Sequence, residues 1–171
     1  GIEPDLATFG KALGAGYPIA AITGKRKVME LVNPGKIRQS GTYSANPLCL
    51  AAAHASITEL EKGGIKHIIE IGNTLMEGIR QIIGDSKVNA IVQGIGGAGL
   101  QIYFTELQKI RNLRDAKTCD VGKWSKFHKE LFRRGVYFHP SALEHQFIST
   151  AHTEEDVETT LSAISESIRR I

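Results

Sequence analysis

The sequence predicts an α/β fold that passes into a small α+β unit from about residue 65. Short apolar segments between glycine-rich turns open the chain, and a well-capped helical pattern follows at residue 47. Two strand-like segments flanked by helical patterns occupy the second half. The 171 residues, 42% of them hydrophobic, suffice for one domain or for one domain and part of another.

The first elements are predicted to be short. Leu6–Phe9 is a short apolar segment, and Gly10–Gly16 follows it as a loop, because three glycines in seven positions each cost about 1 kcal/mol in a helix relative to alanine. Ile19–Thr23 is predicted to be a buried strand that ends at a glycine. Lys25–Val32 suits a short helix, closed by the turn Asn33–Gly35.

The clearest helix covers Leu48–Lys62. Asn46 is a good N-cap, Pro47 suits the first helical position, and Gly63–Gly64 supplies the C-terminal stop. Steps of three and four residues place one apolar face on this helix, made of Leu50, Ala53, Ile57 and Leu60.

Three further helices and several strands are predicted after this point. The helices are Ile65–Ile83, Val121–Arg133 with Trp124, Phe127 and Leu131 on one face, and Glu154–Ile171 with a Thr153–Asp156 capping box. The strands are Val88–Ile95, Leu100–Phe104, Val136–Phe138 and Phe147–Ser149, and Thr105–Cys119 is predicted to be a loop or a weak helix.

Composition excludes several functional classes. The net charge of +3 and the lack of a basic stripe with interleaved aromatics argue against nucleic-acid binding. The longest apolar runs are too short to span a bilayer. Cys49 and Cys119 form no CxxC pair, which favours a reducing, cytoplasmic environment. The start at Gly1, without a leader pattern, suggests a piece of a longer protein.

Two patterns are better explained without a ligand. Gly94–Gly99 matches GxGxxG, but an alternating strand follows it instead of a helix, which favours a hairpin turn over a dinucleotide site. His139, Glu144, His145 and His152 match no metal-ligand spacing, so a metal is not expected. The expected environment of His54 is core packing, and that of His67 and His128 is a solvated helix face.

Lys11 is the candidate catalytic residue. It follows a predicted strand and precedes the glycines of the loop, so little side-chain bulk surrounds it. A lysine in a glycine-lined, partly desolvated pocket loses stability as an ammonium ion, which frees the amine as a nucleophile. Such an amine forms a Schiff base with an aldehyde, and pyridoxal phosphate is the usual one.

The segment Gly41–Pro47 (Gly-Thr-Tyr-Ser-Ala-Asn-Pro) is a second candidate site. The hydroxyls of Thr42 and Ser44, with backbone N–H groups ahead of a helix, suit an anion such as phosphate. A plain capping loop, with Asn46 as the cap, explains the same residues.

Together, the segments Pro4–Pro18 and Gly41–Pro47 resemble the class III pyridoxal-phosphate aminotransferases. The segments Gly135–Ser141 and Phe147–Asp156 are most similar to the glutamate-1-semialdehyde 2,1-aminomutase branch. Tyr17–Ile19 and Tyr43–Ala45 are closer to the general class III pattern, and the absence of arginine from Pro140 to Thr150 favours the aminomutase-like or the β-amino-acid branch. The resemblance implies the C-terminal part of a fold-type I transferase. Residues 1–46 would end the large cofactor-binding domain, 47–64 would form a connecting helix, and 65–171 the small α+β domain.

The resemblance also implies roles for four residues. Lys11 would bind pyridoxal 5'-phosphate covalently and carry the substrate proton, while Thr42, with Gly41 beside it, would reach the cofactor phosphate of the other subunit of a homodimer. Glu144 would lie near the substrate entrance. The implied reaction converts glutamate-1-semialdehyde to 5-aminolevulinate, and this chain alone would have little activity, because several of the family's cofactor contacts precede the lysine. Transamination of a β- or ω-amino acid, racemisation, and a non-catalytic α/β module in which Lys11 is an ordinary surface lysine are the alternatives.

Overall fold

A computed structural model describes residues 1–32 and 36–171 of the chain. These residues form two compact units, Gly1–Gly63 and Gly64–Ile171. Within the described ranges, no helix is long and apolar enough to cross a membrane.

The first unit contains a two-stranded antiparallel ladder of β1 (Leu6–Phe9) and β2 (Ala21–Gly24). A single turn of 3-10 helix, Lys11–Gly14, lies in their connection. The predicted burial of the second strand is wrong, since the side chain of Ile22 is 58% exposed. The ladder consists of these two strands, and residues 1–32 and 36–63 leave most of its surface uncovered.

Two helices complete the first unit. The predicted short helix is a single turn, α1 (Arg26–Met29), and the turn predicted at Asn33–Gly35 lies outside the described residues. The longer helix, α2 (Pro47–Glu59), begins as predicted, because Asn46 Oδ1 accepts from the N–H groups of Leu48 at 3.0 Å and Cys49 at 3.2 Å.

The predicted apolar face of α2 is correct at Ala53 and wrong at Leu50 and Ile57. Leu50 and Ile57 are exposed, whereas Cys49 and Ala53 are buried. The hydroxyl of Ser56, near the buried side, donates to the carbonyl of Ala12 at 3.0 Å. Apolar residues occur on all sides of α2, so their spacing does not select a face, and packing against the 3-10 turn selects it.

The second unit has a three-stranded antiparallel sheet in the order β3 (Ala90–Ile95), β4 (Gly99–Phe104), β5 (Gln146–Phe147). The glycine-rich segment between β3 and β4 is the predicted hairpin turn, with Gly96 and Gly97 at φ +56° and +75°. The strand predicted at Val136–Phe138 is wrong, because this segment joins no ladder among the described residues. Only one of the three residues predicted to form the last strand, Phe147, lies in β5.

Helices cover the sheet and close the core. The predicted helices are confirmed as α3 (Ile65–Asp85), α5 (Val121–Arg133) and α6 (Glu154–Ile168), and a short α4 (Leu113–Lys117) lies in the predicted loop. Buried residues of α3, α5, α6, β3, β4 and the segment after α5 form one apolar cluster, in which the ring centroids of Phe104 and Phe127 lie 5.3 Å apart, edge to face. Trp124 Nε1 donates to the carbonyl of Pro140 at 2.8 Å, which ties the segment after α5 to the core.

Candidate functional site

Lys11 lies directly after β1, with an unusual backbone conformation. Its φ of +52° is in the left-handed region, which costs a non-glycine residue roughly 1–2 kcal/mol. Ala15 and Ala45 are the other two non-glycine residues with positive φ in the described ranges. All three lie in the two candidate segments, Pro4–Pro18 and Gly41–Pro47. Backbone strain of this kind concentrates at functional sites.

The side chain of Lys11 is exposed. The described residues therefore do not form the partly desolvated pocket that is predicted around it. The loop glycines have local roles instead. A Cβ on Gly14 would lie 2.5 Å from Ile19 Cγ2, and Gly16 has a φ of +101°. Lys25 Nζ pairs with Asp5 at 2.9 Å, whereas Lys11 has no ion pair within residues 1–32 and 36–171.

The segment 41–46 is a tight turn ahead of α2. The Ser44 N–H donates to the Gly41 carbonyl at 3.0 Å, and the Asn46 N–H donates to the Tyr43 carbonyl at 3.1 Å. Asn46 Oδ1 takes two N–H groups of the first turn of α2, which confirms Asn46 as the cap of this helix. The hydroxyl and N–H of Thr42 have no partner in the part of the chain that the structure describes.

Glu144 lies in the second unit, in a segment that hydrogen bonds hold against the sheet. Gln146 accepts from the His139 N–H at 2.6 Å and donates to Gln101 at 3.2 Å. Gln101, only 2% exposed, donates to the Ala142 carbonyl at 2.8 Å. Sequence reasoning missed Gln101, although a single polar residue inside the apolar strand Leu100–Phe104 is a usable signal.

The histidines have other environments than predicted. His54 is exposed on α2, so the expected core packing is wrong. His67 and His128 are half-buried, and their Nε2 atoms bond to the carbonyls of His152 at 2.8 Å and Phe138 at 2.9 Å, which corrects the expectation of solvated faces. Within the described ranges, no three His, Cys, Asp or Glu side chains come close enough together to hold a metal ion.

Two acidic groups of the second unit have pKa values below their usual range. The backbone N–H and the hydroxyl of Thr153 lower the pKa of Asp156 by hydrogen bonding to its carboxylate. A hydrogen bond from Arg134, supported by Arg133, lowers the pKa of Glu130. Burial raises the pKa values of Tyr103 and Cys119.

Comparison with known proteins identifies the family of this chain. The model of the family "Aminotransferase class-III" matches residues 1–167. A glutamate-1-semialdehyde 2,1-aminomutase from Desulfatibacillum aliphaticivorans is 38% identical over 173 aligned positions, which cover 100% of this chain and 40% of that protein. A second, from Thermus thermophilus, is 39% identical and covers 98% of this chain and 40% of its own length.

A solved structure supports the same assignment. The β-phenylalanine aminotransferase from Variovorax paradoxus has a TM-score of 0.88 and 27% identity, covering 99% of this chain and 39% of its own. This chain therefore spans about 40% of the length of the curated relatives that it matches. The likeness confirms the predicted fold class, an α/β part of a pyridoxal-phosphate transferase. The chain belongs to the class III aminotransferases, a family of enzymes that depend on pyridoxal 5'-phosphate.

Proposed function

We propose that the whole protein transfers an amino group with pyridoxal phosphate and acts as a glutamate-1-semialdehyde 2,1-aminomutase, forming 5-aminolevulinate. The observation that carries the proposal is Lys11 after β1, which is strained and forms no ion pair among the described residues, in a chain that aligns over its whole length with 40% of an aminomutase at 38% identity. Residues 1–46 would then end the large domain, 47–64 connect, and 65–171 form the small domain.

The donors in the first unit fit the cofactor. Lys11 Nζ is exposed and has no carboxylate partner among the described residues, so it is available to an aldehyde. The hydroxyl and N–H of Thr42 suit a phosphate oxygen, and a Cβ on Gly41 would lie 3.1 Å from Ser44 Oγ. We therefore assign Lys11, Gly41 and Thr42 as the residues of this chain that hold the cofactor.

Lys11 would have two tasks in the reaction. Bound pyridoxal phosphate supplies an electron sink for the negative charge that develops at the substrate carbon. Lys11 Nζ would hold the cofactor through its aldehyde group and, as a free amine, would take the proton from the substrate carbon and return it at a neighbouring position. The positive φ of Lys11 fixes the direction in which its side chain leaves the backbone.

Thr42 is assigned to the cofactor site of a partner subunit, and Glu144 to the substrate entrance. We propose a homodimer in which Thr42 serves the cofactor of the partner subunit, because its exposed donors find no acceptor among the described residues of their own chain. Glu144, also exposed, would stand at the substrate entrance. Because the chain spans about 40% of its relatives' length, we expect it to have little turnover when expressed alone.

The test compares Lys11→Ala with Lys25→Ala in the longest natural protein that contains this chain. Loss of the amine is expected to lower 5-aminolevulinate formation by roughly 10²- to 10⁴-fold or more. The Lys25 variant is the matched control, because it removes an exposed lysine of the same unit and an ion pair worth at most about 1 kcal/mol. After borohydride reduction with pyridoxal phosphate, the added mass should lie on the peptide that carries Lys11. Equal activity in both variants, or the mass on another peptide, would contradict the proposal.

A second candidate is transamination of a β-amino acid. The TM-score of 0.88 to a β-phenylalanine aminotransferase favours it, and the absence of arginine from residues 140–150 suits this reaction as well as the aminomutase. Turnover of β-phenylalanine with 2-oxoglutarate, and none of glutamate-1-semialdehyde, would select this reaction over the aminomutase. Racemisation would be recognised by inversion of an amino acid without any oxo acid.

A further inference from the structure

Helix α2 packs on the turn that carries Lys11. The buried residues Cys49 and Ala53 and the half-buried Ser56 follow one another at steps of four and three, so they lie on one side of the helix. The helix contacts the 3-10 turn Lys11–Gly14. Because Gly14, the last residue of this turn, is buried as well, we infer that this side of α2 covers the turn.

A side-chain hydrogen bond joins the two elements. The hydroxyl of Ser56 donates to the carbonyl of Ala12, the residue after Lys11, at 3.0 Å. The same carbonyl accepts from the Ala15 N–H at 3.2 Å. In the part of the chain that the structure describes, the other hydrogen bonds of residues 10–19 stay within this segment. Ser56 therefore supplies the hydrogen bond that links the turn to the rest of its unit.

This link acts next to the strained backbone of Lys11. The Gly10 carbonyl accepts from the Leu13 N–H at 3.1 Å, so Lys11 and Ala12 are the two residues inside one tight turn. Lys11 has a φ of +52° there, which is unfavourable for a residue with a Cβ. The strain of one such residue and the net contribution of one hydrogen bond are of the same order. Holding the Ala12 carbonyl in place is thus sufficient to influence the conformation of Lys11.

The hydroxyl of Ser56 does not have the usual role of a hydroxyl inside a helix. Serine and threonine in helices commonly bond back to the carbonyl four residues earlier, as Thr58 does to His54 at 2.8 Å. Ser56 instead donates to a carbonyl 44 residues away in the sequence. The start of α2 is capped independently by Asn46. The Ser56 bond therefore serves the turn of Lys11 more than it serves the helix.

We propose that Ser56 is a positioning residue for Lys11. By holding the Ala12 carbonyl, its hydroxyl keeps the Lys11 backbone in the left-handed conformation, and this conformation directs the amine at the cofactor. The proposal rests on the proposed function, because it takes Lys11 as the residue that binds pyridoxal phosphate. Ser56 itself touches neither cofactor nor substrate in this account.

The experiment compares four forms of the longest natural protein that contains this chain: the parent, Ser56→Ala, Ser56→Thr and Thr58→Ala. The alanine at position 56 removes the donor, whereas the threonine keeps a hydroxyl. Thr58→Ala is the matched control, because it removes a hydroxyl of the same helix that bonds to the helix's own backbone.

The first measurement is hydrogen exchange of the Ala15 amide in the cofactor-free protein. This N–H donates to the carbonyl that Ser56 holds, so its exchange rate reports the turn directly. We expect exchange about three- to tenfold faster in Ser56→Ala, which corresponds to the loss of one hydrogen bond. The rates in Ser56→Thr and Thr58→Ala should equal that of the parent.

The second measurement separates positioning from stability. Pyridoxal phosphate binding, followed by the visible absorption of the bound cofactor, should be about three- to tenfold weaker in Ser56→Ala. With saturating cofactor, kcat should fall by at least about threefold, since the misdirected amine also moves the proton. The KM of the amino substrate should stay unchanged, because Ser56 does not touch it. A purely structural role would lower the melting temperature without this difference between kcat and KM.

Cofactor binding and kcat in Ser56→Ala equal to those in Thr58→Ala would overturn the proposal. A Ser56→Thr protein as impaired as Ser56→Ala would also overturn it, since the hydroxyl would then not be the cause. Both results leave the proposed function standing if the borohydride-reduced parent carries the pyridoxyl mass on Lys11. A parent that carries this mass elsewhere refutes the proposed function, and with it the role of Ser56 toward the cofactor.

Discussion

The contact between α3 and the hairpin turn makes Gly72→Ala the sharpest test of the fold. A Cβ on Gly72 would lie 1.7 Å from the carbonyl oxygen of Gly97, where ordinary contact begins near 3.4 Å. The difference, 3.4 minus 1.7, requires the turn to move by about 1.7 Å, and a backbone carbonyl does not swing aside as a flexible side chain does. The turn is itself confined, because a Cβ on Gly97 would lie 2.4 Å from the Ile69 carbonyl oxygen.

Two effects of this substitution oppose each other. Alanine in a helix gains about 1 kcal/mol over glycine. Overpacking costs typically 1–3 kcal/mol, and the upper end applies here because both sides of the contact are backbone. The net result is a loss of about 2 kcal/mol, which lowers the melting temperature by roughly 8 °C in a unit of this size.

The assay is urea and thermal unfolding followed by the fluorescence of Trp124, the only tryptophan, which is 2% exposed in the same unit. Gly84→Ala is the matched control in the same helix, since a Cβ there meets nothing within 4 Å. It should stabilise by about 0.5–1 kcal/mol. A Gly72→Ala protein as stable as the parent would show that the hairpin does not pack on α3.

Two further predictions concern helix caps. Asn46→Ala should destabilise the start of α2 by about 1 kcal/mol and speed hydrogen exchange of the first-turn amides. Asn46→Ser, which keeps a capping oxygen, should cost only a few tenths of a kcal/mol. Equal exchange rates in the two variants would refute the cap. Because the folded-state pKa of Asp156 is lowered, its stabilisation is present above the unfolded-state pKa near 4 and is lost as the pH falls through the folded-state value. Asp156→Asn should therefore be less stable than the parent at pH 7 in urea unfolding, and the difference should shrink as the pH falls below about 4. A difference that does not change with pH would contradict this reasoning.

Local sequence signals predicted the elements whose determinants are local. Asn46 and the Thr153–Asp156 pair marked helix starts, because a cap satisfies backbone groups only a few residues away. The spacing of Trp124, Phe127 and Leu131 predicted the buried face of α5, since charged residues occupy its other sides. The two candidate segments around Lys11 and Thr42 were likewise visible as residue patterns.

Side-chain burial and contacts between distant residues were not predictable from local signals. The sequence by itself determined where the helices of the second unit lie and which glycines form the hairpin, because capping, periodicity and positive φ act within a few residues. Only the tertiary structure decided that Lys11 is exposed, which face of α2 packs, and that Gln101 anchors the segment of His139 and Glu144. These features depend on which distant groups meet, and an apolar residue gives the same local signal whether or not a partner covers it.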